Sequence, residues 1–217
     1  QNFPLFGKVL DAAATLFFRY SYQIVINHPY LPNIMPAKRE TFFIRISATP
    51  DDDNAFVQAT LDLGSYVNVG SKSAVIMRIH NIEGEWAGGP NATGSTQPNG
   101  APLMDANSAA SAVWQLTTQS QEGLVSLSDR SCIAKGMLWA ANPLATSESP
   151  STAYSDSHLP QAYSEGFLVA VDNIFLGTIA GGSWAETSDI TFNAQLEVSL
   201  EPVSQTNAVS LALSQQN

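Results

Sequence analysis

Residues 73–86 read S-A-V-I-M-R-I-H-N-I-E-G-E-W, and this segment gives the clearest indication of the fold. Side chains alternate across a β-strand, so the first half of the stretch divides into two faces. Val75, Met77 and Ile79 lie on one face, and Ile76, Arg78 and His80 lie mostly on the other. The charged residues fall only on the second face and at the end, while β-branched residues suit a pleated, half-buried surface. The pattern predicts a long strand of an antiparallel sheet that has one face in a core.

Similar runs predict further strands along the chain. The segment from Asp189 to Val203 alternates most regularly, and Pro202 is expected to end it. The segment from Glu165 to Ile179 resembles a hairpin that turns at Asp172-Asn173. Strands are expected near residues 40–49, 57–68, 73–86, 111–118, 132–141, 166–179 and 189–201, with a shorter one at 124–127.

Other segments read as helix, loop or tail. Leu5 to Tyr20 carries apolar residues at helical spacing, which predicts a helix packed on the sheet. The alternatives are an amphipathic segment against a membrane or a neighbouring subunit, or partly a strand. The loops at 87–110 and 142–163 are rich in Gly, Pro, Ser and Asn, and are expected on the outer surface or at subunit junctions. Ala208 to Leu213 reads as a short apolar tail.

The pattern as a whole is typical of an all-β protein. Eight to ten strands, joined by turns and two long loops, predict an antiparallel β-sandwich or single jelly roll with an amino-terminal helical or extended segment. We expect two parts: residues 1–39 as an amino-terminal segment that faces inward or lies between subunits, and residues 40–217 as the sandwich domain.

Composition narrows the class of protein. Hydrophobic residues make up 44% of the 217 residues and charged residues only 13%, which excludes a disordered chain. No apolar run reaches the ~18 residues that span a bilayer. The single cysteine, Cys132, allows no intrachain disulfide and is expected to be a buried structural thiol. The chain starts at Gln1, so either a leader or arm was removed or the numbering starts inside a longer precursor.

The charge is unevenly distributed. The formal net charge is −10, yet residues 1–78 hold seven Lys and Arg against six Asp and Glu, whereas residues 79–217 hold two against thirteen. A duplex-binding domain is expected to carry a basic stripe, which this chain lacks. The acidic part favours solubility and disfavours anionic partners on its surface.

No sequence motif identifies a reaction. The three histidines, His28, His80 and His158, have no second His or Cys at metal-ligand spacing. A Ser-His-Asp set stays open, although the chain has no G-x-S-x-G elbow. Glu83 and Glu85 share a strand face and could act as an acid–base pair if buried, but a solvated face is the simpler interpretation.

Three further features leave alternatives open. The acidic run Asp51, Asp52 and Asp53 is either a solvated turn or a Ca²⁺ site. In the second case, the site is one shared between subunits. Asn91-Ala92-Thr93 fits a glycosylation acceptor, although such triplets are common by chance. The four tryptophans serve either core and interface packing or a sugar-binding platform: Trp86, Trp114, Trp139 and Trp184.

These features together resemble small viral capsid proteins of the single jelly-roll type, over roughly Glu40 to Val203. The resemblance consists of a slightly basic amino-terminal segment, about eight strands and long polar loops. It implies self-assembly into an icosahedral shell around a genome, with the chain located in the virion. Many such proteins carry a strongly basic arm, and here only five residues could serve: Lys8, Arg19, Lys38, Arg39 and Arg45.

The weak basic segment has consequences for partners. Either an arm precedes Gln1, or the genome is held by a minor virion protein or an internal membrane, so the chain itself is expected to bind nucleic acid weakly or not at all. The main partner is then other copies of the chain. The alternative from another class is a secreted or cell-surface β-sandwich that binds carbohydrate, and the weakest alternative is a β-sandwich hydrolase.

Overall fold

The computed structural model describes residues 40–50, 54–87, 106–143, 153–182 and 190–216. The predicted features at Leu5 to Tyr20, Asp51 to Asp53, Asn91 and Trp184 lie outside these residues. Within them, no helix is long and apolar enough to cross a membrane.

Nine strands and one α-helix make up the described part of the chain. The strands are β1 (Phe42–Ala48), β2 (Val57–Asp62), β3 (Ser73–Ala87), β4 (Ser108–Thr117), β5 (Cys132–Asn142), β6 (Ala153–His158), β7 (Phe167–Val169), β8 (Asn173–Gly182) and β9 (Thr191–Ser204). A 3₁₀ turn covers Pro160–Ala162, and helix α1 spans Gln205–Ser214.

The strands form two antiparallel sheets. Sheet A has the order β1-β9-β3-β7, and sheet B has the order β2-β8-β4-β5-β6. The chain crosses between the sheets after β1, β2, β3, β6, β7 and β8, so most sequence neighbours do not pair. If β6 is set aside, eight strands remain in two four-stranded sheets that interlock as Greek keys, which is the jelly roll. The predicted fold class is therefore confirmed.

The core lies between the inner faces of the two sheets. Met77 and Ile79 of β3 are fully buried there, as their alternation predicted. A register shift between Ile79 and Asn81 then keeps Ile82 on the inner face. β9 contributes its alternate residues Phe192, Ala194, Leu196 and Val198. Burial of such apolar side chains is the main force that holds the sheets together.

Helix α1 covers part of the outer face of sheet A. Ala208 is fully buried against Ala74, Ile76 and Ala170, which lie on the face opposite to the core. At the helix end, the buried Gln215 side chain donates to Leu168 O and accepts from Ala170 N at 3.1 Å. It thereby satisfies one backbone group of β7, an edge strand of its sheet, and one in the residue just after it. The predicted apolar tail at 208–213 is instead this helix.

The predicted hairpin from Glu165 to Ile179 is wrong. β7 pairs with β3 at residues 77–79, whereas β8 pairs with β2 and β4 in the other sheet. Asp172 does lie in a turn, but that turn carries the chain from one sheet to the other. The Asp172 carbonyl accepts from Leu63 N at 2.7 Å, a contact across the sequence that local turn residues cannot reveal.

Three predicted boundaries also change. β2 ends at Asp62, because the Asp62 side chain accepts from Gly64 N at 2.7 Å and closes a turn. Residues 124–127 form no strand but belong to an irregular connector. The predicted loop 142–163 contains strand β6 and the 3₁₀ turn.

Pro202 does not end β9, which continues to Ser204. Pro202 pairs with Val75 of β3. On the other side of β9, the pairing with β1 covers residues 192–198 only. Beyond Val198, β9 therefore has a neighbouring strand on one side only. A proline is tolerated where a strand has such a free edge, because its missing N–H leaves no ladder bond unmade.

Among the described residues, one buried side-chain polar atom lacks a hydrogen-bond partner, and it supplies a prediction for stability. Thr178 is fully buried opposite Trp114, and its Oγ1 has no hydrogen bond. We expect Thr178→Val to raise the free energy of unfolding by ~1 kcal/mol, because an unpaired buried hydroxyl costs about this much. The melting temperature measured by calorimetry should rise by ~2–4 °C.

Thr117→Val is the matched control. Thr117 is equally buried, but its Oγ1 donates a hydrogen bond to Gln119 O at 2.7 Å. Because the substitution removes this hydrogen bond, it should lower the free energy of unfolding by ~1 kcal/mol. Equal effects of the two substitutions would contradict this account of Thr178.

Candidate functional site

The connector between β4 and β5, residues 118–131, folds over the outer face of sheet B. The fully buried Gln115 donates from Nε2 to Gly123 O at 2.9 Å and accepts from Val125 N at 2.8 Å. Lys135 of β5 donates from Nζ to Val125 O at 2.7 Å. Gln58 of β2 holds the same connector, since its amide bonds Ser120 Oγ at 2.8 Å and Gln121 N at 2.9 Å. The connector is therefore a fixed part of this face.

An apolar surface lies beside the connector, and we call it the β5 surface. Met137 and Trp139 point away from the core and are 39% and 42% exposed. Val113 lies opposite Met137 in the ladder and belongs to the same face. The connector adds Leu124 and Leu127, which are 43% and 51% exposed. Large apolar side chains gathered on one face of a sheet indicate a contact surface.

A polar groove of about 740 Å³ crosses the outer face of sheet A. Its side chains come from β1, β9 and β3 and form two cross-strand rows. The first row is Arg45, Gln195 and Glu83, and the second is Ser47, Asn193 and Glu85. We call these six residues the sheet A grid. Glu83 and Glu85 are exposed, as the solvated-face interpretation predicted.

A part-buried charge cluster lies further along the same face. Arg78 Nη2 donates to Glu201 Oε2 at 3.0 Å, and Nε donates to the second oxygen of that carboxylate. Both side chains are about one-tenth exposed. Arg78 also donates to the Glu165 backbone carbonyl, so the pair ties β3, β9 and the turn before β7 together. Such a bidentate pair fixes the relative geometry of the segments that it joins.

His80 lies within hydrogen-bonding distance of Ser199, but the pair is not arranged for nucleophilic attack. Its Nε2 lies 2.7 Å from Ser199 Oγ. Ser199 is fully buried, so a substrate cannot reach the hydroxyl. His158 is exposed on β6 and pairs in the ladder with Lys135. Across the described residues, no three His, Cys, Asp or Glu side chains come together as a metal-binding group.

The tryptophans divide between core and surface. Trp114 stacks on Phe192 with 4.5 Å between ring centroids, and Trp86 lies 5.0 Å from the same ring at 57°. These two are packing residues, as the core interpretation predicted. Trp139 is the exposed one, and it belongs to the β5 surface. The three described tryptophans therefore do not form a shared sugar platform.

Cys132 is half-buried rather than buried. Burial raises the pKa of its thiol above the usual range; Lys135 lowers this pKa and Asp129 raises it, both by smaller amounts. The raised pKa keeps the thiol protonated at neutral pH, which makes it a poor nucleophile.

The raised pKa supplies a second prediction. Iodoacetamide should alkylate Cys132 more slowly at pH 7.5 than it alkylates free glutathione, and the rate should climb as pH rises. Because the folded-state pKa lies above the unfolded one, the thiol's contribution to stability is present below the unfolded pKa and is lost as pH rises through the folded pKa. Alkylation as fast as that of glutathione would contradict the burial argument.

Comparisons with known proteins give structural neighbours only. No family model matches the chain, and no curated protein does. The structural neighbours are viral capsid proteins. VP1 of human polyomavirus 12, solved with 3′-sialyllactosamine, has a TM-score of 0.37 and 9% identity over 76% of this chain and 100% of that one.

Two further neighbours are of the same kind. The unassembled VP1 pentamer of KI polyomavirus has a TM-score of 0.35 and 10% identity, covering 76% of this chain and 95% of that chain. Desmodium yellow mottle tymovirus has a TM-score of 0.33 and 8% identity, covering 82% and 97%. All these TM-scores are below 0.5, so the jelly-roll assignment depends on the strand order, and function has to be inferred from this chain's own surfaces.

Two surface features were not predicted from the sequence. The sheet A grid exists only because Arg45, Gln195 and Glu83 fall opposite one another, and register between distant strands has no local signal. The β5 surface could have been suspected from the alternation of Met137 and Trp139 with Leu138 and Ala140. That alternation predicts two faces but not which side contains the core.

Proposed function

We propose that the chain is the subunit of an icosahedral viral capsid. Its function is to associate with copies of itself into a shell that encloses a genome, and its location is the virion. Its role is structural rather than catalytic. Residues 1–39 face inward or lie between subunits, and a minor virion protein or internal membrane is a further partner.

The observation that carries this proposal is the β5 surface on a jelly-roll domain. Jelly rolls serve as viral capsid and lectin domains. Met137 and Trp139 of β5, with Leu124 and Leu127 of the connector, are all more than one-third exposed on the outer side of sheet B, and a lone polar monomer does not need such a surface. In a shell, a neighbouring copy covers them. The structural neighbours are capsid proteins as well, although their similarity is too low to add weight.

Energetics permit assembly despite the charge. A formal charge of −10 on each chain makes copies repel one another at long range. Physiological salt screens that repulsion beyond ~8 Å. Apolar burial contributes ~25 cal/mol per Å², and a standard interface covers ~1,600 Å² in total. This gain can outweigh the residual repulsion, although lost rotational and translational freedom offsets much of it.

We infer weak or no binding of nucleic acid by the domain. The domain, residues 40–217, holds five Lys and Arg against eighteen Asp and Glu, and two of the five are already bonded, Arg78 to Glu201 and Lys135 to the connector. Neutralising phosphates requires several free Lys or Arg residues. On this view the shell forms without RNA or DNA. Asp51, Asp52 and Asp53 would bind Ca²⁺ between subunits and reduce the repulsion further.

The test is light scattering of protein purified free of nucleic acid. Scattering should rise between ~10 mM and ~150 mM NaCl, because the Debye length falls from ~30 Å to ~8 Å. Added Ca²⁺ should raise it again, and a chelator should reverse only the calcium step. Asp52→Asn and Asp53→Asn should remove that step and leave the salt step. If scattering required added RNA or DNA, self-assembly driven by apolar contact would be the wrong mechanism.

A further inference from the structure

The sheet A grid presents six polar side chains with unused hydrogen-bonding groups. Arg45, Ser47, Glu83 and Glu85 are exposed, and Asn193 and Gln195 are half-buried. Within the described residues, no side-chain hydrogen bond or ion pair joins any of the six to another. Glu83 accepts only a long 3.5 Å contact from Asn81 at the rim. A groove of about 740 Å³, lined by exposed and half-buried polar side chains whose donors and acceptors are open to a ligand, has the size of a ligand site.

The distribution of charge in the sheet A grid indicates which class of ligand suits it. Arg45 stands at one end of its row and would repel a cationic segment. Glu83 and Glu85 stand on the opposite strand and would repel an anion. The amides of Asn193 and Gln195 lie between the two and both donate and accept. A neutral ligand whose groups both donate and accept can bond to all six side chains without meeting either repulsion.

Hydroxyl groups have this dual capacity, and the spacing suits several of them. Neighbouring strands lie ~4.8 Å apart, and alternate residues on one strand ~6.8 Å apart, so the grid covers roughly 10 by 7 Å. Vicinal hydroxyls of one sugar ring can bond to adjacent grid positions. The area corresponds to about a disaccharide.

An exposed aromatic ring borders the grid. Phe43 precedes Arg45 by two residues on β1, so it lies on the same face, and it is 53% exposed. Its ladder partner is Glu197. A sugar ring has an apolar C–H face as well as hydroxyls, and an aromatic ring beside polar groups supplies the matching surface.

We propose that the sheet A grid is a binding site for a neutral saccharide. Arg45, Gln195 and Glu83 bind the hydroxyls of one ring, and Ser47, Asn193 and Glu85 bind those of the next. Phe43 packs against a ring face. This activity goes beyond shell formation and does not depend on it, because the grid and the β5 surface lie on different sheets.

The experiment is saturation-transfer NMR on the full chain with lactose, maltose and chitobiose as neutral probes. 3′-Sialyllactose and tetralysine serve as the anionic and cationic comparisons. At least one neutral disaccharide should receive saturation, and its affinity should fall at least tenfold in Gln195→Ala and in Asn193→Ala. Phe43→Ala should weaken binding as well. Thr60→Ala, an exposed position on the outer face of sheet B, should leave it unchanged.

Several results would overturn the proposal. The first is that no neutral sugar receives saturation. The second is that the affinity for the sugar is unchanged in Gln195→Ala. Preferential binding of tetralysine would make the groove a docking site for basic segments, and preferential binding of 3′-sialyllactose would make it a site for anions. Circular dichroism melting of each variant shows that the fold is intact. Because all these measurements work on monomer or particle, their failure is distinct from a failure to assemble.

Discussion

Phe192→Ala should lower the free energy of unfolding by ~3–5 kcal/mol, the range for removing a buried aromatic side chain. Phe192 is 2% exposed and lies between two other rings, Trp114 and Trp86. It also packs over Gly84, where an added Cβ would overlap the ring. Truncation therefore removes contacts to both sheets and leaves a cavity that neighbouring backbone cannot fill.

Urea unfolding followed by tryptophan fluorescence measures this effect, in low salt and chelator so that subunits are dissociated. Phe43→Ala is the control, since Phe43 is an exposed phenylalanine on the outer face and its loss should cost less than ~0.5 kcal/mol. Gly84→Val should also destabilise, because the new side chain needs the space of the ring. A loss under ~1 kcal/mol in Phe192→Ala would contradict the description of this core.

The double substitution Met137→Glu and Trp139→Glu should abolish assembly and leave the fold intact. Both side chains point away from the core, so the contacts that the substitutions remove lie on the outer face of sheet B and not in the core. In a subunit contact, however, two unpaired carboxylates would be taken out of water, which costs several kcal/mol at each interface. A change of 2.7 kcal/mol weakens association ~100-fold, and a shell repeats the penalty at every contact.

The control adds the same charge elsewhere. Thr206→Glu with Ser210→Glu places two carboxylates on exposed positions of helix α1, away from the β5 surface. This variant should assemble nearly as well as the parent at ~150 mM NaCl, where screening limits long-range repulsion. Dynamic light scattering compares the three proteins at equal concentration. Equal loss of assembly in both variants would mean that net charge, rather than the β5 surface, controls association.

The sequence predicted individual strands better than it predicted their partners. β3 and β9 were clear because Met77 and Ile79, or Phe192 and Leu196, alternate with polar residues over a long stretch. Such alternation is a local property with a fixed period. The assignment of β7 and β8 to different sheets was missed, because the turn at Asp172 is compatible with either a hairpin or a crossing.

Several contacts that could not be predicted from the sequence are made by glutamine side chains. Gln115 holds the connector, Gln215 bonds beside β7, and Gln161 bonds both Ile82 N and Ile82 O at 3.2 and 3.0 Å. Each amide bonds one backbone C=O and one backbone N–H, since it carries the same donor and acceptor as a peptide group. A glutamine in the sequence gives no sign of this role, because only the three-dimensional arrangement brings a backbone edge within its reach.

The candidate surfaces were predicted to a smaller extent. Glu83 and Glu85 were placed on one exposed face by alternation alone, and the structure shows them in the sheet A grid. Their partners Asn193 and Gln195 come from more than one hundred residues away, so the groove depends on pairing that the sequence does not specify locally. The amino-terminal boundary at residue 39 and the calcium site stay predictions.

Sedimentation velocity on the purified 217-residue chain, without nucleic acid and at ~150 mM NaCl with Ca²⁺, tests the capsid proposal most directly. The expected result is a narrow boundary of megadalton mass that a chelator in dilute buffer converts to small species. Electron microscopy of the same fraction should show closed shells of uniform diameter. A single species at 23.2 kDa across high protein concentration, salt and Ca²⁺ would contradict the proposal, and the domain would then be a monomeric binding module.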